Sequence, residues 1–431
     1  MADLLVATVP LTGHVHPMLL VVHELVARGH AVRWYAASKF APAIAATGAT
    51  FAAMRVAHDW DDRDVEAALP ALRGRRGIAR VKAQLRDMFI RPMLGQLRDL
   101  EALVDERTPD AILADQAHLG AALVAEKRGL PWAGLGISAL VVPSVDTAPF
   151  GSALPPGASR TRNRILNWLI LRALFGDVNR LYRRLRGEAG LPPGAGTYFD
   201  VISPDLYLQP TIPELEYPRS DLPPQVRFIG PLVPRPRPSP QLPAWWEDLA
   251  AAERDGVPIV LVTQGTLAID PRELIEPALR GLAGEPVLVV ATTGAALAAT
   301  PHNARVAAYI PYELLLPRTA AVVTNGGYGG VQMALRHGVP LVVAGGSEEK
   351  PEIAARVAWS GTGIDLRTRR ARPAAVRAAV RRVLDEPQFR DRARAMASRM
   401  ASHDAPREAA ALIEGLVARR SAAPQVAQVA R

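Results

Sequence analysis

Twice along its length this chain alternates short buried-strand patterns with helix patterns, and a proline-crowded stretch separates the two series. In the first series Leu4–Val9 reads as a strand, Pro10–Pro17 as a loop and Met18–Arg28 as a helix stopped by Gly29, with Ala31–Tyr35 as the next strand. Strand, loop, helix and strand in so short a span make a βαβ unit, which forces a parallel sheet. The pattern recurs in a strand over Ala111–Asp115, a helix over Leu119–Arg128 and a strand near Trp132–Ile137. Helical segments fill Val65–Val104, and Asn163–Leu185 reads as one long helix, apolar first and basic later.

Prolines then crowd Pro210–Pro243, which includes PRPRPSP at 234–240, a stiff composition incompatible with a sheet interior. After it the alternation restarts. Strands are expected at Ile259–Thr263, Pro286–Ala291, Val306–Tyr309, Ala321–Thr324 and Pro340–Ala344, with helices at Pro271–Ala283 and Tyr328–His337. The chain is therefore read as α/β, two Rossmann-like domains facing across a cleft. The boundaries are 1–215 for the first domain, 216–243 for the linker and 244–395 for the second domain. A helix over 396–418 is expected to return to the first domain, followed by a flexible tail over 419–431. Open α/β sheets bind ligands at the carboxyl ends of their strands, so both halves would present loops to the cleft.

Composition removes several alternatives. With no cysteine, disulfides, thiolate metal sites and cysteine nucleophiles are excluded, which fits a reducing compartment. The net charge of +9 comes from 51 Lys+Arg against 42 Asp+Glu, but the excess is scattered arginine without interleaved aromatics. That is not a nucleic-acid footprint. Asp3 stands where a secretory leader wants a cation, and no apolar run reaches the roughly 18–20 residues of a membrane span. A soluble, cytoplasmic protein is expected.

Chemistry concentrates in a few loops. Asn325–Leu335, NGGYGGVQMAL, places four glycines between a buried strand and a helix. Close backbone approach and the free N–H groups of a helix N-terminus make a phosphate site there, unless the segment is only a tight turn. GGSEEK at 345–350 brings Glu349 and Lys350 to the same sheet edge, suiting sugar hydroxyls or phosphate oxygens, or else forming a solvated pair. The first loop carries His14 and His16 in GHVHP, with one glycine where a dinucleotide fingerprint needs three. An imidazole suits a general base, and Asp115 at the end of another strand could fix its tautomer. The acidic run His58–Asp64 lacks calcium-loop geometry and reads as a polar loop, and Trp245-Trp246 as packing.

GHVHP after strand 1, RGHAV entering strand 2, FIGPL at 228–232, VTQGT at 262–266 and the block from Tyr309 to Gly363 stand in one order. In that order the chain resembles the GT-B inverting glycosyltransferases that modify antibiotics, macrolides and plant natural products, over about residues 3–415. The resemblance implies that His14 deprotonates an acceptor hydroxyl, with Asp115 as its carboxylate partner and His16 as a neighbour on the acceptor side. It assigns the nucleotide to Gln264, Gly265 and Thr266, to Tyr309 and Ile310, and to Asn325, Gly326, Gly327, Gly329 and Gly330. Glu349 and Lys350 correspond to the pair that holds the sugar, while Trp168 and Phe175 fall where the acceptor pocket is lined.

The chain departs from the family pattern at Asn325 (His there), Gly330 (Thr or Ser), Met333 (a Glu that contacts ribose), Lys350 (an amide) and Tyr312 (Gln). Backbone phosphate binding survives all of these. The implied reaction moves a sugar from a UDP- or TDP-linked donor to a hydroxyl of a small hydrophobic acceptor, with no metal and no cofactor beyond the donor. No nucleic acid is implied, a membrane surface is disfavoured, and a homodimer is left open. Three other readings stay open: a peripheral membrane transferase acting on a lipid-linked acceptor, a silent nucleotide-binding partner that activates a second enzyme, and a phosphorylase or epimerase.

Overall fold

In the computed structural model the described residues are all but 158, 195, 235–240, 266–269, 347 and 423–431. Two parallel sheets organise them. The first contains β1 (Asp3–Ala7), β2 (Ala31–Ala36), β3 (Thr50–Ala53), β4 (Ala111–Asp115), β5 (Trp132–Leu135), β6 (Leu206–Gln209) and β7 (Val226–Phe228), in the order β3-β2-β1-β4-β5-β6-β7. The second contains β8 (Ile259–Thr263), β9 (Leu288–Thr292), β10 (Ala304–Ala307), β11 (Thr319–Thr324), β12 (Leu341–Val343) and β13 (Gly363–Asp365), in the order β10-β9-β8-β11-β12-β13. The molecule is an α/β protein of two Rossmann-like halves, as its alternation predicted.

The strand orders decide where ligands can bind. In the first sheet the chain runs outward from β1 toward β3, then returns to the other side of β1 and continues from β4 toward β7. The crevice at this reversal opens between the carboxyl ends of β1 and β4. In the second sheet the reversal lies between β8 and β11. Helices cover both faces, so the central strands are buried throughout, as in Leu4–Ala7 and Ala111–Asp115.

Several features differ from the sequence reading; the helix expected over 396–418, for one, is two, Pro387–Ala401, whose Met396 and Met400 pack in the second half, and Ala405–Ala422. The first helix begins at Thr12, so Gly13–Pro17 is helical and not a loop. Its start is held from elsewhere: the Asp62 carboxylate accepts from the Thr12 N–H at 2.5 Å and from its hydroxyl at 3.0 Å. The expected long helix Asn163–Leu185 is three segments, Arg160–Asn167, a π-helical turn Trp168–Leu174 and Gly176–Glu188. There the Phe175 N–H reaches back to Ile170 O at 3.1 Å, and the Asn179 amide closes on Leu171 O at 2.6 Å, satisfying the carbonyls at the break. The first sheet also runs further than expected, because β7 lies inside the stretch read as linker and pairs in parallel with β6.

The halves cross over twice. The chain leaves the first half past Phe228 and returns at the helix Ala405–Ala422, whose Ala409, Ala410, Ile413 and Leu416 join the first core. There Glu414 pairs with Arg28 at 2.9 Å and with His30 at 3.0 Å. The two crossings touch at Gly230, which has φ +75° and where a Cβ would lie 2.2 Å from His403 Cβ. Glycine is required there on both counts. Between the halves, Ala139, Ile212 and Leu215 pack in one cluster with Tyr328, Ile353 and Val357.

Candidate active site

His14 and Asp115 meet at the reversal point of the first sheet. His14 lies in the first turn of the helix after β1, and Asp115 is the last residue of β4. The His14 Nδ1 stands 3.0 Å from Asp115 Oδ1. The carboxylate also accepts the N–H of Val9 at 2.7 Å and of Ala117 at 2.8 Å. Burial works to raise the Asp115 pKa, but the His14 and His118 rings and these donors outweigh it and hold the carboxyl below its ordinary value. An ionised Asp115 retains the proton on Nδ1 of His14 and leaves Nε2 free to accept one. The Phe89 ring stacks over the imidazole at 6.2 Å, and Phe89 in turn packs on Val9, Leu11, Trp60, Met88 and Ala117. The imidazole therefore sits beside an apolar wall.

His118, which the sequence reading passed over, supports this pair. It precedes the helix Leu119–Arg128 and its Nδ1 accepts the Ala121 N–H at 3.2 Å, a histidine in a capping role. Burial pushes its pKa down to about 4, against the attraction of Asp115, so the ring is neutral at pH 7. His16 is exposed on the same helix as His14 and is not brought to Asp115. Asp62 was read as part of a polar loop; it is buried, caps the helix of His14 and pairs with Lys39.

The glycine loop meets Gln264 at the second reversal point. The buried Asn325 side chain donates through its amide to Gln264 O, and its Oδ1 has no hydrogen-bond partner among the described residues. Gln264 itself is occupied by backbone, donating to Asp270 O at 2.7 Å and accepting from Ile275 N–H at 3.3 Å. Gly326 has φ +89°, and a Cβ there would lie 2.9 Å from Val343 Cγ1. The nine-residue helix Tyr328–Arg336 starts next, with no acidic residue in its first turn. Its first helical bond is from Val331 N–H to Gly327 O, so earlier N–H groups lack intrahelical partners. A Cβ at Gly329 or Gly330 would meet nothing within 4 Å. An uncompensated helix N-terminus facing open space is a site for an anion.

The other expected donor residues are placed unequally. Lys350 is buried, bonded to Glu348, and lines a small cavity with Gln264, Asn325, Gly346 and Arg369. Glu349 precedes the helix Lys350–Trp359. Gly265 adopts φ +74°, and Thr266 lies outside the described residues. Tyr309 is exposed, whereas Ile310 is buried in the second half's core and can offer a ligand only its backbone. Trp168 and Phe175 are not brought together. Trp168 is 59% exposed on the π turn, while Phe175 is a core residue, edge-on to Phe199 at 5.3 Å. Among the described residues no group of three or more His, Asp or Glu is placed to hold a metal, and no helix is long and apolar enough to cross a membrane.

Residues 278–416 match the family described as erythromycin biosynthesis protein CIII-like, C-terminal domain. The chain is 48% identical over 423 residues to 4'-demethylrebeccamycin synthase of Lentzea aerocolonigenes, covering 96% of this chain and 100% of that one. In three dimensions it resembles the calicheamicin glycosyltransferase with a TM-score of 0.76 at 24% identity, covering 98% of this chain and 100% of that one. It also resembles a spinosyn rhamnosyltransferase solved with thymidine diphosphate, with a TM-score of 0.69 at 22% identity, covering 96% and 99% of the two chains. The chain is also 33% identical over 442 residues to UDP-glycosyltransferase 2 of Phaeomoniella chlamydospora, covering 96% of this chain and 95% of that one, and it belongs to the glycosyltransferases of the antibiotic and natural-product type, with the GT-B fold.

Proposed function

We propose that this glycosyltransferase moves a sugar from a UDP- or TDP-linked donor to a hydroxyl of a small hydrophobic acceptor in one inverting displacement. The observation that carries the reading is the 3.0 Å contact between His14 and Asp115 at one sheet reversal, with an open glycine-led helix N-terminus at the other. His14 Nε2 takes the proton from the acceptor hydroxyl, and Asp115 stabilises the imidazolium that forms. The acceptor oxygen attacks the anomeric carbon opposite the leaving diphosphate, so one displacement inverts that centre. The N–H groups at Tyr328–Gly330 and the helix dipole receive the developing diphosphate charge, an electrostatic role preset by the fold.

The thymidine diphosphate bound by the structurally similar spinosyn rhamnosyltransferase supports a nucleoside-diphosphate donor. The apolar wall of Phe89, Trp60, Leu11 and Met88 beside His14 supports a hydrophobic acceptor. The reading assigns no metal and no cofactor beyond the donor, and places the enzyme in the cytoplasm. Glu349 and Lys350 hold the sugar.

The first test is thermal stabilisation by UDP, TDP, GDP, ADP and NAD without added metal. A ligand at 100 times its dissociation constant adds about 2.7 kcal/mol. A shift with UDP or TDP alone is the expected result, and a flat response to both would overturn the nucleotide site. His14→Ala should abolish transfer while nucleotide affinity stays within a few-fold.

A further inference from the structure

Glu349 and Lys350 stand at the start of the helix Lys350–Trp359, and its buried face carries two charges, Glu352 and Arg356, that reach into the other half of the molecule. Arg356, 2% exposed, donates through Nε to Glu216 Oε2 at 2.9 Å and through Nη1 to Glu352 Oε2 at 2.8 Å. Its guanidinium also lies 4.2 Å from the Tyr217 ring centroid. Glu216 and Tyr217 belong to the segment that follows β6 in the first half. The remaining oxygens of both carboxylates are taken by the loop after β5. Glu216 Oε1 accepts the Leu140 N–H at 2.8 Å, and Glu352 Oε1 accepts those of Gly151 at 2.8 Å and Ala153 at 2.7 Å.

The chain of contacts thus runs Leu140, Glu216, Arg356, Glu352, Gly151 and Ala153, and it joins the loop after β5 to the helix that starts at the sugar pair. Ala153 has φ +52°, a left-handed conformation unfavourable for a residue with a Cβ, and the Glu352 carboxylate is what its N–H meets there. A buried, doubly paired guanidinium of this kind fixes register and direction in a way that a lysine cannot reproduce.

We propose that Arg356 is a positioning residue for the transferred sugar. With Glu352 and Glu216 it sets the helix Lys350–Trp359 against the first half, so that the sugar held by Glu349 and Lys350 is aimed at the oxygen activated by His14. Through the same contacts, donor binding in the second half orders the loop over 140–153 on the acceptor side. This inference rests on the glycosyl-transfer reading above.

The test compares the wild type with Arg356→Lys and Glu352→Gln, each scored per folded molecule. Affinity for TDP or UDP, which lack the sugar, should stay within about threefold. The kcat for transfer should fall by about 10²-fold, the scale on which a misplacement of about 1 Å slows a reaction. The share of donor lost to water should rise. In the wild type, donor sugar nucleotide should slow amide exchange at Gly151 and Ala153 more than the bare nucleoside diphosphate does, and in the variants that difference should vanish.

A merely structural role predicts instead a lower melting temperature with unchanged kcat, unchanged hydrolysis share and unchanged exchange response, and that result overturns the proposal. If Arg356→Lys does not fold, Glu352→Gln, which keeps shape and an acceptor oxygen, decides by the same measures. A wild type that binds donor but transfers to no acceptor counts against the transfer reading, while the exchange comparison still decides the coupling.

Discussion

Asp115 meets three groups on its two oxygens, the His14 ring and the N–H groups of Val9 and Ala117, at the carboxyl end of β4. Replacing it with asparagine keeps the shape but removes the charge that holds the imidazolium, and the new amide can donate to the ring and select the wrong tautomer. Asp115→Asn should lower kcat by about 10²–10⁴-fold with little change in nucleotide affinity, as steady-state kinetics and binding would measure. His118 carries a separate prediction about pH. Its folded pKa is pushed down to about 4, below the value of about 6.5 for a free imidazole. Between these values the unfolded chain binds the proton and the folded chain does not. Stability from this site is therefore whole above about pH 6.5 and is lost as pH falls toward 4, with a magnitude on the order of 3 kcal/mol. His118→Asn keeps a capping acceptor, and urea unfolding across this pH range should show a flatter profile than in the wild type.

At the scale of single elements, the parallel strands were the most legible part of the sequence. Ala111–Asp115 and Ile259–Thr263 have the limits that their patterns set, because a strand buried on both faces is a continuous apolar run bounded by turn residues. The start of the first helix was not legible. Its cap is Asp62, 50 residues away, and local pattern carries no record of such a partner. The break at Phe175 was hidden for a related reason, since the Asn179 amide that closes it looks like any polar residue on a helix face. Of the site, His14, Asp115 and the glycine loop could be read from their positions after strands. Arg356 could not, because its partner Glu216 lies 140 residues away, and His118 could not, because a histidine is not a usual helix cap.

Two substitutions test these elements. Gly230→Ala combines a positive φ with a 2.2 Å approach to His403 Cβ, and it should destabilise by about 2–4 kcal/mol in urea unfolding. Gly330→Ala faces open space in the first turn of a helix, so it should leave the fold unharmed or stabilise it by about 0.5–1 kcal/mol. If a diphosphate occupies that space, the same change should weaken UDP or TDP binding.

For the whole molecule, the decisive arrangement is that each sheet reverses its strand order once, with a buried His14–Asp115 pair at one reversal and a glycine-led helix N-terminus at the other. The halves are joined by apolar packing of Ala139, Ile212 and Leu215 against Tyr328 and Ile353, and by polar contacts such as Gln209 Nε2 to the Tyr328 hydroxyl at 3.0 Å. The returning helix completes the first core. A chain shortened to end at residue 402 should therefore expose the surface that Ala409, Ala410, Ile413 and Leu416 cover, and calorimetry should show its first half melting at a lower temperature.

The contact of Gly230 with His403 has a mechanical consequence. Two strands of chain that touch where they pass between the halves act as one fastening, not as a pair of separated straps. Bulk added at Gly230 therefore presses on the return of the chain to the first half as well as on its exit, so that one substitution loosens both passages together.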